Sequence, residues 1–384
     1  MSFGSGGLLS RPTRIFFISS TEGAPWGGSE ELWACVATEY RNQNCDVFAS
    51  VKYWPQRAHR IQELQRIGVR FQFRGGPTSL LDRIIRPHAL RRVRPDLVFV
   101  NNGGNLPPIE LARKLIARST PYINISHSNA AHLCPQPESI GLFREYFRNS
   151  LANCFVAQTH LKTLEYQIGM PIPNSAIVRN PVNLPPTSIW EPLGTRHMDQ
   201  GARFAVVGRI DEFKGLDLVF EALSQARWRE RKWQLSIFGQ GPQEKNLAHM
   251  APCRGIDDRV VFEGHADDIS AVWLDNDLLI LASSMEGLPL AILEAMLCGR
   301  PVVATDVGDI GRAVEEGVTG FLAAAPTFNS ISDALERAWA RRAEWSKMGI
   351  QARERAMALV PSNAGKEFIE GIAELVAQAR SSAA

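Results

Sequence analysis

The sequence predicts an α/β protein with two domains, each built on a parallel β-sheet covered by helices. Short apolar runs of strand length alternate with longer amphipathic segments along most of the 384 residues. Strand–helix alternation of this kind favours parallel sheets with helices on both faces. A chain of this length is too long for one ordinary core and accommodates two domains. We therefore expect two Rossmann-like domains that face each other across a cleft.

The predicted strands form two groups of five. They occupy residues 14–20, 45–51, 96–102, 121–127 and 153–159 in the first group, and 203–208, 233–239, 259–264, 277–283 and 300–306 in the second. Between the groups, residues 180–204 are rich in proline and glycine and lack periodicity, as expected of a linker. We place an N-terminal domain in residues 1–190 and a C-terminal domain in 191–362. Residues 363–380 form an amphipathic helix, with Ser362 or Asn363 as its cap.

Bulk composition excludes several classes of protein. Hydrophobic residues make up 45% of the chain and charged residues 21%, as in soluble globular proteins. The net charge of +2 provides no global attraction to nucleic acid. The six cysteines form no CxxC pair, which argues against a zinc site or a disulfide framework. The N-terminal residues are unlike a signal peptide and no apolar run could span a bilayer, so we expect a cytoplasmic protein.

Two glutamates flank the start of a predicted helix. Glu286 lies in the turn before the segment 290–299, and Glu294 lies inside that segment. A helix N-terminus favours an anion, most often phosphate, and nearby carboxylates are good acceptors for hydroxyl groups. Phosphate plus two sets of sugar hydroxyls describes a nucleotide-sugar. The alternative for Glu286 is that it merely complements the positive end of the helix dipole. This alternative does not apply to Glu294, which lies beyond the first helical turn, where the effect of the dipole has faded.

A second pattern lies upstream, where residues 206–223 follow a predicted strand and open a helix. Arg209 and Lys214 stand five positions apart, beside Gly208 and Gly215. A departing diphosphate gains negative charge in the transition state, so fixed cations at that point lower the barrier. Arginine grips two phosphate oxygens and lysine adds a mobile point charge. The alternative is a solvated loop with two surface cations.

Together these patterns resemble the retaining glycosyltransferases of the GT-B fold, often called GT4. The resemblance rests on the E-x7-E spacing, on GRPVVATDVGDIGRAVEEGVTGFL after it, and on GRIDEFKG in residues 208–215. It implies that Glu286 binds hydroxyls of the transferred sugar and that Glu294 binds the nucleotide ribose. It also implies that the amides around Gly287 and Leu288 face the sugar and diphosphate. Arg209 and Lys214 then correspond to the diphosphate clamp of the family.

The resemblance extends more weakly into the N-terminal half. Gly27 and Gly28 follow the first predicted strand and match the first glycine loop of the family, near diphosphate and acceptor. His127 matches a cleft histidine near the reacting end of the sugar, although HSN stands here where many relatives have HD. The alternatives are an ordinary turn for the glycine pair and a structural role for His127. Ser29 is predicted to cap the following helix, and Glu30 either touches the acceptor or occupies the first helical turn.

Two other motifs bear on competing chemistries, those of a dehydrogenase and of a metal-dependent enzyme. Gly239 and Gly241 form a GxG after a strand, but Glu244 stands where a dehydrogenase needs its third glycine. The resemblance implies instead that these glycines let the chain pass close to the nucleotide base. DND at 275–277 precedes a strand, whereas a metal-binding Asp-x-Asp motif ends one. We therefore expect no obligatory metal and no cofactor.

The function implied by the resemblance is metal-independent transfer of a sugar from a nucleotide-sugar to a glycan, a lipid-linked molecule or another acceptor hydroxyl. The expected context is synthesis of cell-surface polysaccharide or glycoconjugate. The N-terminal domain would bind the acceptor, the C-terminal domain the donor, and the helix 363–380 would pack back on the N-terminal domain. A GT-B-fold epimerase or phosphorylase and a non-catalytic sugar-binding scaffold are the alternatives.

A basic segment, residues 83–94, raises a further question of location. It carries five arginines and apolar residues on one helical face. It is either a packed helix with a solvated basic face or a site of attachment to anionic lipid at the inner membrane face.

Overall fold

In the computed structural model the described residues are 13–21, 26–55, 58–74, 92–104, 106–127, 134–182, 184 and 201–383. The chain divides into two compact units. Unit 1 comprises Met1–Pro181 together with Pro361–Ala384, and unit 2 comprises Val182–Val360. Each unit has its own sheet and its own apolar cores.

Unit 1 contains a parallel sheet that has seven strands within its described residues. They are β1 Arg14–Ser19, β2 Asp46–Lys52, β3 Arg70–Arg74, β4 Leu97–Asn102, β5 Tyr122–Ser126, β6 Ala152–Phe155 and β7 Ser175–Ile177. Their order in the sheet is β3-β2-β1-β4-β5-β6-β7. The helices are α1 Gly28–Asn42, α2 Ala58–Arg66, α3 Ile109–Ala117, α4 Pro137–Asn149, α5 Gln158–Ile168 and, from the end of the chain, α14 Ala364–Ala383.

The central strands of unit 1 are apolar on both faces, and this explains their continuous hydrophobic runs. Successive residues of a strand point to opposite faces. Phe17 and Phe99 accordingly join the core on one side of the sheet, and Phe16 and Val98 join the core on the other. A strand buried on both faces is typical of a parallel sheet with helices on either side.

The C-terminal helix α14 completes one of these cores. Phe368, Ile372 and Val376 are buried in the same cluster as residues of α1. The approach of the two helices is close: a Cβ on Gly365 would lie 2.4 Å from the carbonyl oxygen of Cys35. Asn363 caps the helix, since its Oδ1 accepts a hydrogen bond from the backbone N–H of Lys366 at 3.0 Å.

Unit 2 has the same design. Its strands are β8 Ala202–Val207, β9 Trp233–Phe238, β10 Val260–Gly264, β11 Leu278–Leu281, β12 Val302–Thr305 and β13 Gly320–Ala323. Their order is β10-β9-β8-β11-β12-β13. The helices are α6 Leu216–Leu223, α7 Ala226–Arg229, α8 Glu244–Arg254, α9 Ile269–Asp275, α10 Leu290–Leu297, α11 Ile310–Ala313, α12 Phe328–Ala340 and α13 Trp345–Leu359.

The strand order reverses at one point in each sheet, between β1 and β4 in unit 1 and between β8 and β11 in unit 2. In open parallel sheets ligands bind beside the carboxyl ends of the strands at such a reversal. The prediction of two Rossmann-like domains with parallel sheets is therefore confirmed. The topology indicates that ligand-binding residues lie at the carboxyl edge of each sheet, beside the reversal.

Three strands were missed by the sequence analysis. The strand β3 mixes arginines with its phenylalanines and is largely accessible, β7 has three residues, none of them fully buried, and β13 has four. Short or accessible strands lack the continuous apolar run by which buried strands are recognised.

The prediction that Ser29 caps the helix after the first strand was wrong. Ser29 lies inside α1, because the helix begins at Gly28 with Gly27 as its N-cap.

No helix in the described part of the chain has the length and apolar character needed to cross a membrane. Most of the basic segment 83–94 lies outside the described residues, which resume at Arg92.

Candidate functional site

The predicted donor-binding residues lie on the loops that follow neighbouring strands of unit 2. Gly208, Arg209 and Lys214 follow β8, and Gly239 follows β9. Glu286 follows β11, which lies beside β8 in the sheet. Because parallel strands end at the same edge, the order of the strands brings these loops together.

The shortest contact among the predicted residues joins Lys214 to Glu286. Lys214 Nζ lies 2.5 Å from Glu286 Oε1, and both side chains are mostly buried, at 20% and 12% exposure. The same oxygen of Glu286 accepts a hydrogen bond from Ser283 Oγ at 2.8 Å. The fold thus holds one cation and one carboxylate at a single point. Sequence analysis assigned both residues to the site and did not predict this contact.

Arg209 differs from Lys214 in being about half exposed. Its Nε lies 3.7 Å from Asp211 Oδ2, a long and partly solvated ion pair. Asp211 itself is committed to the local turn, where its Oδ1 accepts a hydrogen bond from the backbone N–H of Phe213 at 3.1 Å. The guanidinium group of Arg209 therefore remains accessible to an anion on the β8 loop.

Two glycines allow the loops after β8 and β9 to touch through their backbones. A Cβ on Gly239 would lie 1.8 Å from the carbonyl oxygen of Gly208, and Gly239 has a φ of 144°. A Cβ on Gly241 would lie 2.0 Å from the carbonyl oxygen of Ile210. No larger residue fits at either position, so both glycines are required to pack the loop that carries Arg209.

The loop after β12 supports the Glu286 turn from the other side. The backbone N–H of Asp309 donates a hydrogen bond to the carbonyl oxygen of Gly287 at 2.8 Å. A Cβ on Gly308 would lie 2.2 Å from the carbonyl oxygen of Glu286. Sequence analysis did not single out Gly308 or Asp309, although both stand in the segment that carries the family resemblance.

Glu294 is the fifth residue of α10 and is 6% exposed. The helix starts after Pro289, whose side chain offers no hydrogen-bond acceptor to the first N–H groups. The N-terminal turn, which contains Leu290, therefore presents backbone donors and the positive end of the helix dipole. Gly287 and Leu288 lie on the approach to this terminus.

A second group of polar residues lies at the carboxyl edge of the unit 1 sheet, around His127. His127 Nε2 lies 2.8 Å from Asn101 Oδ1, and its backbone N–H donates to the carbonyl oxygen of Asn102 at 3.1 Å. Burial, with a further contribution from His160, lowers the pKa of His127 to about 3. The imidazole is therefore neutral at physiological pH.

Glu30 is a buried carboxyl group close to this edge. It accepts hydrogen bonds from Ser19 Oγ at 3.1 Å, from Ser29 Oγ, and from the backbone N–H of Gly27 at 3.4 Å. Burial raises the pKa of Glu30, and these hydrogen bonds oppose the rise. Gly27 and Gly28 are the N-cap and first residue of α1. The pair is thus part of the helix start, with Glu30 in its first turn.

Sequence analysis missed Ser19 and Asn101 as members of this group. The available signal was the pair of asparagines that ends the apolar run DLVFVNN, where a buried strand would otherwise stay apolar. Asn101 and Asn102 are both fully buried. Buried amides need hydrogen-bond partners, so their presence at a strand end indicates a polar network.

Two parallel-sheet units of this topology, with polar and charged groups at the carboxyl ends of their central strands, define a protein of the GT-B class. The chain aligns over most of its length with solved structures of this class. The crystal structure of Anabaena Alr3699/HepE in complex with UDP has a TM-score of 0.71, covering 96% of this chain and 100% of that one at 18% sequence identity. The GT-B fold is confirmed.

Residues 201–341, all in unit 2, match the sequence model of the family of glycosyl transferases group 1. The alpha-D-kanosaminyltransferase of Streptomyces kanamyceticus is 36% identical over 135 residues, 34% of each chain. The N-acetyl-alpha-D-glucosaminyl L-malate synthase of Bacillus anthracis is 31% identical over 121 residues, 32% of each chain. These matches span about a third of the length of the curated relatives.

Proposed function

We propose that the protein is a retaining glycosyltransferase that transfers a sugar from a nucleotide-sugar to an acceptor hydroxyl. The observation that carries this proposal is the contact of Lys214 with Glu286 on loops after adjacent strands, with Arg209 accessible on the same loop as Lys214. A cation suits the diphosphate and a carboxylate suits the hydroxyls of the sugar. One short contact therefore joins groups that recognise the two halves of the donor.

In this proposal the bond between the anomeric carbon and the diphosphate breaks while Arg209 and Lys214 stabilise the charge on the leaving group. The acceptor oxygen bonds to the anomeric carbon on the face that the diphosphate leaves. The departing diphosphate takes the hydroxyl proton of the acceptor, so the configuration is retained. Glu286 orients the sugar, Glu294 the ribose, and the amides at Gly287 and Leu288 bind the sugar and diphosphate.

Arg209 and Lys214 supply the positive charge that a metal ion supplies in other glycosyltransferases, so we propose a metal-independent reaction without a cofactor. The DND segment has another role in unit 2. Asp277 Oδ2 accepts a hydrogen bond from the backbone N–H of Arg203 at 2.8 Å, immediately before β11. This position is at the amino end of the strands, opposite the edge that carries Lys214.

For unit 1 we propose the acceptor role, with Gly27 and Gly28 near the diphosphate and acceptor and His127 near the reacting end of the sugar. The acceptor would be a glycan or a lipid-linked molecule in the synthesis of surface polysaccharide or glycoconjugate. Contact with anionic lipid through residues 83–94 remains part of this proposal. Vesicle sedimentation with and without acidic lipid tests it, and equal recovery in both would contradict it.

The donor is tested by thermal-shift measurements with UDP, GDP and ADP and then with their sugars. UDP is the first choice, because it is bound in the Anabaena structure. Release of the nucleoside diphosphate that requires both donor and acceptor supports transfer. Release without acceptor would indicate an epimerase or hydrolase, and binding without any release would indicate a scaffold.

A further inference from the structure

A hollow lies at the amino edge of the unit 2 sheet, at the other end of the strands from Lys214. Its volume is about 370 Å³. It lies where three neighbouring strands begin, since its walls include Ala202 of β8, Trp233 of β9 and Arg259, which precedes β10. Small-molecule sites in proteins typically have volumes of about 300–1,000 Å³, so the hollow admits a ligand larger than a single ion.

Positive charge dominates the walls of this hollow. The lining that the structure describes has five cationic side chains and one carboxylate, that of Glu230. The cations are Arg203, Arg229, Arg231, Lys232 and Arg259. Like charges that lie close together repel one another, and more strongly where water is partly excluded. The hollow therefore favours an anion.

Arg259 is a cation that the fold holds in place without neutralising it. Its guanidinium group donates hydrogen bonds to three backbone carbonyl oxygens, those of Trp228, Arg229 and Arg231, at 3.2, 2.9 and 2.9 Å. Its recorded carboxylate partner, Asp258, lies 3.8 Å from Nε and is 74% exposed, so this ion pair is weak. The hydrogen bonds of Arg259 also fix the backbone that precedes β9.

The other cations differ in how far their charge is used within unit 2. Arg231 is neutralised, because it forms a bidentate ion pair with Glu336 at 2.8 Å for both bonds. Arg229 and Lys232 are exposed, and neither forms an ion pair with a residue that the structure describes. Arg203 is 41% exposed and lies 4.0 Å from its recorded carboxylate partner. Three side chains of the hollow therefore retain most of their capacity to bind an anion.

A close backbone contact fixes the spacing between two walls of the hollow. The backbone N–H of Ala202 donates a hydrogen bond to the carbonyl oxygen of Lys232 at 3.0 Å. A Cβ on Gly201, which has a φ of 99°, would lie 2.8 Å from the same oxygen. The segments that carry Arg203 and Lys232 are thus held against each other before any ligand binds.

We propose that this hollow is an anion site that binds a small molecule carrying a phosphate group. Arginine grips two phosphate oxygens at once and lysine adds a point charge, so Arg203, Arg229 and Lys232 suit such a ligand. Gln234 and Glu230 also line the hollow and can bind hydroxyl groups beside the phosphate. The phosphate belongs either to a free phosphate ester or to the headgroup of an anionic lipid. The inference does not depend on the proposed function, because the donor residues lie at the opposite edge.

Calorimetry with inorganic pyrophosphate at low ionic strength tests the site in the full chain. Arg209→Ala/Lys214→Ala is the background, so that the proposed donor site does not contribute. Adding Arg229→Gln/Lys232→Gln should weaken binding about ten-fold or more, since two charge-assisted hydrogen bonds are lost. Adding Lys245→Gln/Arg254→Gln removes the same charge from exposed positions on α8 and should leave binding unchanged. Equal affinities of these two variants would overturn the proposal.

Sedimentation with phosphatidylcholine vesicles, with and without phosphatidylglycerol, separates the two sources of phosphate. Recovery with acidic vesicles that falls in Arg229→Gln/Lys232→Gln and not in Lys245→Gln/Arg254→Gln would identify a lipid headgroup. Binding of pyrophosphate at the hollow, with equal vesicle recovery for the two variants, would identify a free phosphate ester. If pyrophosphate does not bind and the two variants sediment equally, the hollow is not an anion site.

Discussion

Lys214 and Glu286 are 72 positions apart in the sequence and form a 2.5 Å ion pair at the carboxyl edge of unit 2. Each is the nearest charged partner recorded for the other among the described residues. The pair links the loop that carries the proposed diphosphate clamp to the turn that precedes α10. Donor binding must therefore act on both residues together, and their variants should have distinct effects.

Lys214→Ala should reduce turnover by tens- to a hundred-fold. A charge-assisted hydrogen bond contributes roughly 1.5–3 kcal/mol, and the leaving group would lose one. Steady-state release of nucleoside diphosphate measures the effect. Lys347→Ala, at an exposed lysine on α13, is the matched control. Full activity of a folded Lys214→Ala would show that the clamp is misassigned.

Arg209→Ala should slow turnover by a similar factor with little loss of stability. The side chain is half exposed and, among the described residues, makes only a long ion pair with Asp211, so its removal leaves no buried group of these residues without a partner. The rate of transfer and the thermal midpoint are measured on the same preparation. A loss of transfer that is accompanied by a clear drop in the thermal midpoint would indicate that Arg209 has a structural role.

Glu286→Gln should weaken transfer and strengthen the binding of the free diphosphate several-fold. In the wild type the carboxylate neutralises Lys214, and the amide would leave the ammonium group free to attract phosphate. Calorimetry with UDP and UDP-glucose compares the two ligands. Glu212→Gln changes an exposed carboxylate on the loop that carries Lys214 and serves as the control. Weaker UDP binding to Glu286→Gln would contradict the expected competition for Lys214.

Gly239→Ala should destabilise unit 2 by about 2–4 kcal/mol, because an unfavourable backbone conformation is combined with overpacking. Its Cβ would lie 1.8 Å from a backbone oxygen. Gly255 also has a positive φ, of 65°, but apart from its chain neighbours no atom of the described residues lies within 4 Å of its Cβ position. Gly255→Ala should therefore cost only about 1–2 kcal/mol. Urea unfolding of the two variants tests the difference, and equal midpoints would refute it.

The pKa of His127 predicts a loss of stability in acid. The folded-state value of about 3 lies below the ordinary 6.5, so the unfolded chain binds the proton first. This contribution is fully present above pH 6.5 and is lost as the pH falls towards 3. His127→Gln should lose less stability than the wild type over that interval. Thermal midpoints at pH 7.5, 6, 5 and 4.5 provide the comparison, and parallel curves would argue against the shift.

The parts of the candidate site that were predicted are those whose residues lie close together in the sequence. Arg209 and Lys214 lie on one loop, and the spacing of Glu286 from Glu294 is visible along one helix. The contact between Lys214 and Glu286 was not predictable in this way, because it exists only once β8 and β11 are neighbours in the sheet.

Asn101 was missed for a related reason. A single asparagine at a strand end is an ordinary feature, and its importance comes from Ser19 on one neighbouring strand and His127 after the other. Contacts between strands distant in sequence depend on topology. Such contacts cannot be predicted from residue types and spacing in a single sequence.

Unit 1 draws its core from both ends of the chain, since Phe368 and Ile372 of α14 pack with residues of α1. During synthesis unit 2 therefore emerges from the ribosome before unit 1 can be finished. The apolar side of α1 therefore stays uncovered until α14 has been translated. A stop codon shortly before Ala364 should yield a chain in which unit 2 folds and unit 1 becomes a target for proteases.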